Sequence, residues 1–221
     1  MTQTGMFRLS PHIKGQLRTI DEKFPVLVFD DFYAQPESVR EAALAQPYAP
    51  STQKYPGRHA ELPCSKEDRT ALESIVLDIV NRHYLPKLKL RRAGQLIPRL
   101  QNVVTDFSIV DSAPADLAPI QRQPHVDPAP VFALVYLNVE ERGGTLFFEP
   151  EGDAPPKPGP HGYMADSTPG WRRIGRIEGK FNQLAIYPGG LPHSGEITGD
   201  WITQARSIGD YRLTQRFMFF E

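Results

Sequence analysis

From about residue 87 to its end, the chain is a succession of short apolar or alternating runs. They read "GQLIPRL", "NVVTDFSIV", "VFALVYLNV", "TLFFEP", "GRIEGKFNQLAIYP" and "YRLTQRFMFF", and turns rich in Pro and Gly separate them. Runs of this length, enriched in Val, Phe, Tyr and Thr and bounded by such turns, predict strands. A series of that number has to satisfy its backbone hydrogen bonds between strands, which predicts a sandwich or small barrel. The stretch "EPEGDAPPKPGPHGYMADSTPGW" interrupts the series. Its density of Pro and Gly predicts an insert over about 150–182 that leaves the barrel rim and is not a strand.

The first half is patterned differently. "FPVLVFDDFY" predicts a strand that ends in paired acids, and "QPESVREAALAQ" predicts a helix, with Pro36 suited to the first turn and Glu37 beside the positive helix end. "PYAPSTQKYPGRH" reads as a surface loop. A second helix is signalled by Ser65 with Asp68 three positions on, succeeded by Leu72, Ile75, Val76, Ile79 and Val80 at helical spacing. With 221 residues, no internal repeat and no linker, the expectation is one domain over 1–221. Residues 1–94 would supply a strand and supporting helices, and residues 95–221 the β core.

Charge and cysteine content narrow the class. The chain carries 25 basic and 26 acidic residues and a formal net charge of −1. It shows no cluster of Lys and Arg interleaved with aromatics, so the expected partner is a small molecule or a peptide, with no nucleic acid and no membrane. The lone Cys64 cannot form an internal disulfide and reads as an inert small residue in a reducing compartment. The N-terminus lacks the apolar core of a signal peptide, and the longest apolar run, "VFALVYL", is of strand length, so a cytoplasmic location is expected. Oligomeric state is left open.

The chemistry concentrates around "QRQPHVDPAP", which sets His125 and Asp127 two positions apart. Chance alone places such a pair in roughly a third of chains of this composition. The order of the downstream residues gives the pair weight: the strand "FALVYLN", the turn "ERGG", the strands "TLFFEP" and "NQLAIYP", then "GGLPHSGEI" with His193, and a last strand that opens with Arg212. Two imidazoles and one carboxylate on one side of a metal leave its other positions open, the arrangement of the 2-His-1-carboxylate facial triad. A closed cage would bind metal without catalysing. On the last strand Arg212, Thr214 and Arg216 share a face, so a guanidinium and a hydroxyl would reach one anion together. The Gly-Gly pairs at 143–144 and 189–190 fit tight turns, and neither opens a phosphate-binding loop.

The residues "PHVDP…FALVYLN…GGTLFFEP…NQLAIYPGGLPHSGE…YRLTQRF" resemble the double-stranded β-helix (jelly-roll, cupin-like) core of the Fe(II)/2-oxoglutarate-dependent dioxygenases, in particular the prolyl-hydroxylase-like branch and an uncharacterised bacterial group related to it. The resemblance spans roughly residues 95–221. It implies a mainly β fold with flanking helices, the N-terminal helices packing on the major sheet. By this resemblance His125, Asp127 and His193 would be catalytic iron ligands. Arg212 with Thr214 would bind the far carboxylate of the cosubstrate 2-oxoglutarate. From their place on the apolar strand beside the proposed site, Tyr136 and Asn138 would either touch the cosubstrate, Tyr136 as a further binding residue, or simply pack and finish the strand.

The implied reaction consumes O2 and hydroxylates an unactivated C–H bond of a small molecule, amino acid or peptide side chain, releasing succinate and CO2. The acid at position 127 sets the chain apart from halogenating relatives. Arg212 lies 19 residues beyond His193, a longer gap than the family's, so Arg206 and Arg216 are rivals for the anchor. A catalytically silent binding module of the same fold, or a cupin-type metal-dependent enzyme, would use the same residues. His59 and His161 read as solvated side chains.

Overall fold

The computed structural model describes residues 5–50, 56–141, 143–152, 163–164, 170–197 and 201–221. In chain order the elements are β1 (Lys14–Ile20), β2 (Phe24–Asp30), α1 (Pro36–Leu44), β3 (Ala49–Pro50), β4 (Gly57–Ala60), α2 (Lys66–Ile79), α3 (Leu85–Leu88), β5 (Arg91–Arg92) and β6 (Gln95–Leu96). After these come β7 (Asn102–Val110), β8 (Val131–Tyr136), β9 (Thr145–Pro150), β10 (Tyr163–Met164), β11 (Trp171–Ile177), β12 (Leu184–Pro188), β13 (His193–Glu196) and β14 (Arg212–Phe220). The described chain is mostly β. Eight strands form an antiparallel sheet in the order β1-β2-β12-β8-β14-β7-β4-β3, and a smaller sheet runs β10-β13-β9-β11.

"VFALVY" is apolar at every position because of its place in the large sheet. All six residues of β8 are buried. Val131, Ala133 and Val135 face a cluster shared with Val39, Leu72 and Val76 of the helices, while Phe132, Leu134 and Tyr136 face a second cluster with Phe147 and Ile177 of the small sheet. A strand covered on both faces has no solvent face to keep polar. β14 is covered on one face by the same helices, through Leu213, Phe217 and Phe219, but turns Arg212, Thr214 and Arg216 the other way. That reversal of polarity in a central strand marks the interior side that carries the site.

The helical half is capped and tied as its sequence suggests. Ser65 Oγ accepts from Asp68 N at 3.0 Å, closing the first turn of α2. The helix runs into a π-helical turn over Val80–Tyr84, where the Tyr84 hydroxyl donates to Pro25 O at 2.7 Å and fastens the helix end to β2. Cys64 is half-buried, and burial pushes its thiol up from the ordinary value, which suits an inert residue.

Three expectations need correction. The loop predicted from "PYAPSTQKYPGRH" contains β3 and β4, which extend the large sheet beyond β7. β3 (Ala49–Pro50) is the edge, and "GRHA" pairs by its backbone with β3 on one side and β7 on the other, so it forms a strand without β-branched residues. The insert expected over 150–182 contains a strand, β11, paired with β9 through a bulge between Arg173 and Gly175 that hides its alternation. The single run "GRIEGKFNQLAIYP" is therefore two strands in different sheets, β11 and β12, broken at Glu178–Gln183. β1, almost wholly exposed, carries no apolar signal and was not anticipated. Residues 153–162 and 165–169 of the insert, His161 among them, lie outside the described residues.

Candidate metal centre

The two histidines meet through backbone before they meet through side chains. His125 and His193 exchange a pair of hydrogen bonds, each amide donating to the other's carbonyl at 2.9 Å, so the short β-bridge sets their rings 4.4 Å apart between centroids. Asp127 is placed by its amide donating to Gly189 O at 2.8 Å, while Gly189 N donates to Pro130 O at 3.1 Å. The proline-flanked loop thus lies directly on the "PGG" turn. A Cβ at residue 189 would stand 2.0 Å from Ala129 O, so only glycine permits the contact.

One ligand atom from each of His125, Asp127 and His193 lies within 4.8 Å of the other two, and all three side chains are nearly or fully buried. The chemistry of these donors fits a cation between them. His193 Nδ1 sits 2.8 Å from Leu191 O, a carbonyl that can only accept, so Nδ1 carries a proton and Nε2 is the ring nitrogen turned to the site. That nitrogen faces the buried Asp127 Oδ2 at 3.1 Å, a contact that a cation held by both atoms would satisfy. Burial pushes the Asp127 carboxyl up, but His193, His125 and Arg216 pull it down further, and it stays below the ordinary value, ionised and ready to ligate.

The triad lines a pocket together with Phe132, Leu134, Thr145, Tyr187, Gly195, Arg212, Thr214 and Arg216. The buried guanidinium of Arg212 is aimed by the 143–144 turn, its Nε donating to Gly143 O at 2.5 Å and Nη2 to Gly144 O at 3.2 Å. Gly143 adopts φ +65°, and a Cβ there would meet Arg212 Cδ at 2.8 Å. Tyr136 is adjacent but indirect. Its ring lies 5.8 Å from Arg212 Cζ, and its hydroxyl bonds Thr145 Oγ1 at 2.7 Å. Asn138 is a clamp on the strand, donating to Tyr211 O and accepting from Leu213 N on either side of Arg212.

The three candidate anchors now separate. Arg206 belongs to an exposed turn whose amides bond Asp210, away from the pocket lining. Arg216 lines the pocket, but it is engaged by Asp106 on the neighbouring strand through Nε at 2.7 Å and Nη2 at 2.5 Å. Arg212 alone combines burial, pocket access and backbone aiming. His59, expected in solvent, is instead half-buried in β4 opposite Ser108.

Sequence reasoning missed Thr145 and Tyr187. The Tyr187 ring packs 4.9 Å from His193, and burial pushes its phenol well above the ordinary value, so it stays neutral. Alternation within "QLAIYP" carried the signal, since Ala185 and Tyr187 face opposite to Leu184 and Ile186. Among the described residues, no helix is long and apolar enough to cross a membrane.

A family model described as a family of unknown function, DUF6445, matches residues 11–155 and 151–219. Among solved structures, OsALKBH1 is similar at a TM-score of 0.44 and 9% identity, covering 93% of this chain and 99% of that one. A Pseudomonas putida prolyl-4-hydroxylase is similar at a TM-score of 0.41 and 16% identity, covering 84% and 87%. No curated protein matches the chain.

Proposed function

We propose that this chain, which belongs to the DUF6445 family, is an Fe(II)- and 2-oxoglutarate-dependent dioxygenase that hydroxylates an unactivated C–H bond. The observation that carries this reading is the convergence of His125, Asp127 and His193 with Arg212 and Thr214 on the walls of one pocket, from three separate segments of the chain. Strand order supports it. Along β7, β8, β9, β11, β12, β13 and β14 the chain passes back and forth between the two sheets, with the His125 bridge extending the smaller sheet beside β13, as a double-stranded β-helix requires.

His125, Asp127 and His193 would hold the metal by one face, the exposed side of which is left to small oxygen ligands. Bound iron with 2-oxoglutarate would supply the activation of dioxygen, with succinate and CO2 as coproducts. The chain's own residues then have distinct tasks. Arg212, fixed by two carbonyls, presents a rigid fork to the distal carboxylate, and Thr214 on the same strand face adds a hydroxyl. Leu191 O holds His193 in the ligating tautomer. Phe132, Leu134 and Tyr187 wall the pocket against water.

Charge supports a dianion here. A divalent metal and Arg212 bring three positive charges against one negative charge from Asp127, and Arg216 is already neutralised by Asp106. A dicarboxylate brings the pocket to neutrality. The test is anaerobic addition of Fe(II) and 2-oxoglutarate, with the weak visible charge-transfer absorption of the chelate as readout. We expect that band in the wild-type chain and its loss in His193→Ala. No band together with no consumption of 2-oxoglutarate under air would leave the reading without support.

A further inference from the structure

The near-zero net charge of the chain conceals a segregation. Between residues 79 and 105 there are six basic residues, Arg82, Lys87, Lys89, Arg91, Arg92 and Arg99, and no acid, so the rest of the chain carries a formal −7. All six side chains are exposed. Arg82 pairs with Asp78 and Arg92 with Glu221, but Lys87, Lys89, Arg91 and Arg99 have no acidic partner among the described residues. They surround the β5–β6 hairpin, a two-stranded sheet of its own that belongs to neither larger sheet.

The hairpin also has a definite relation to the pocket. On the inner face, β14 and β7 pair Thr214 with Ser108, Arg216 with Asp106, Met218 with Val104 and Phe220 with Asn102. Burial falls steadily along that series. Thr214 and Ser108 are each 1% exposed, the Arg216 and Asp106 side chains 17% and 22%, and Val104 49%. The inner face therefore passes from the buried pocket lining at Thr214, through Arg216, to solvent at the Asn102 and Phe220 end of the sheet. The same end holds the hairpin, since Arg92 Nη1 lies 3.5 Å from Glu221 Oε2 and Asn102 Nδ2 donates to Glu221 O at 3.4 Å.

We propose that the acid-free 79–105 segment is a docking surface for an acidic stretch of polypeptide, which delivers a neighbouring residue of that polypeptide to the pocket. The delivery step rests on the oxygenase reading, and the docking step does not. A polypeptide suits the surface better than a nucleic acid. The segment exposes no Phe, Tyr or Trp on which a base could stack, its one tyrosine, Tyr84, being buried. It does expose Leu96 at 55%, cross-strand from Arg91, and Val104, which offer apolar contacts between the cations that peptide side chains fill and a phosphate backbone does not. Unpaired cations outside a pocket that is itself charge-balanced place the recognition of acidic groups away from the metal.

The test measures binding of a fluorescein-labelled decaglutamate peptide to the metal-free full chain by anisotropy at low ionic strength. A single-stranded oligonucleotide of matched charge and anionic phospholipid vesicles are run in parallel. Decaglutamate should bind the wild type, and the triple variant Lys87→Gln/Lys89→Gln/Arg91→Gln should weaken it by about ten-fold or more, as should raised salt. The variant's unchanged thermal unfolding and Fe(II)/2-oxoglutarate absorption band would show that fold and metal site are intact, so a failed oxygenase reading and a failed docking surface give separate results. Absence of decaglutamate binding, binding unaffected by the triple variant, or tighter binding of the oligonucleotide or vesicles would each overturn the proposal.

Discussion

Gly189 and Gly190 stand side by side in the sequence, yet an added methyl group has room at only one of them. At Gly190 nothing lies within 4 Å of an ideal Cβ, whereas at Gly189 the carbonyl of Ala129 is 2.0 Å away. Gly189→Ala must therefore push the 127–130 loop outward and carry Asp127 with it, because Gly189 O holds the Asp127 amide. We expect Mn(II) affinity to fall about ten-fold or more in Gly189→Ala, with Gly190→Ala close to wild type in the same calorimetric titration. Arg212 makes a different prediction. Replacing its guanidinium with an amide in Arg212→Gln should weaken 2-oxoglutarate binding about ten- to hundred-fold while leaving metal affinity near wild type. Equal loss of both would mean that Arg212 acts by supporting the fold.

At the level of elements, the site depends on how β14 begins. Asn138, just past the end of β8, bonds the backbone on both sides of Arg212 and fixes where that strand enters the sheet. Asn138→Ala leaves a partly buried carbonyl and a buried amide without these partners and should cost about 2 kcal/mol. For a chain of this size that lowers Tm by about 4–8 °C, and 2-oxoglutarate affinity should fall with it. Ser65→Ala, which removes the cap of α2 far from the pocket, should cost about 1 kcal/mol and leave ligand binding unchanged.

The contrast between these residues also explains what was legible in the sequence. α2 announced itself through Ser65, Asp68 and a helical apolar stripe, because its cap and its packing face are both local. β8, β12 and β14 were legible as apolar runs. Their assignment to one sheet was not, because strand partners are set by contacts distant in sequence. β11 was legible only at its end, in "GRI", because its bulge breaks the alternation before it, and β4 was hidden because it is held by backbone bonds to β7 and β3 that no side chain signals. His125, Asp127 and His193 were found by type and order, whereas Thr145 and Tyr187 needed three-dimensional adjacency.

Taken as a whole, the molecule suspends its site between two sheets. His125 and His193 join at the small sheet, Arg212 and Thr214 stand on the large one, and Asp127 rests on the turn between β12 and β13. A ligand that bridges these groups ties the sheets together, and one that binds only the folded chain must raise its stability by linkage. Mn(II) with 2-oxoglutarate, each at about a hundred times its Kd, should each contribute about 2.7 kcal/mol, or a rise in Tm of about 5–10 °C for either. Protons compete with the metal for the imidazole nitrogens and the carboxylate, so the increment should shrink as the solution is acidified and return on neutralisation. In His125→Ala/His193→Ala the Mn(II) increment should vanish. The same rise in that variant would place the metal elsewhere and separate the stability of the two-sheet structure from the triad between its sheets.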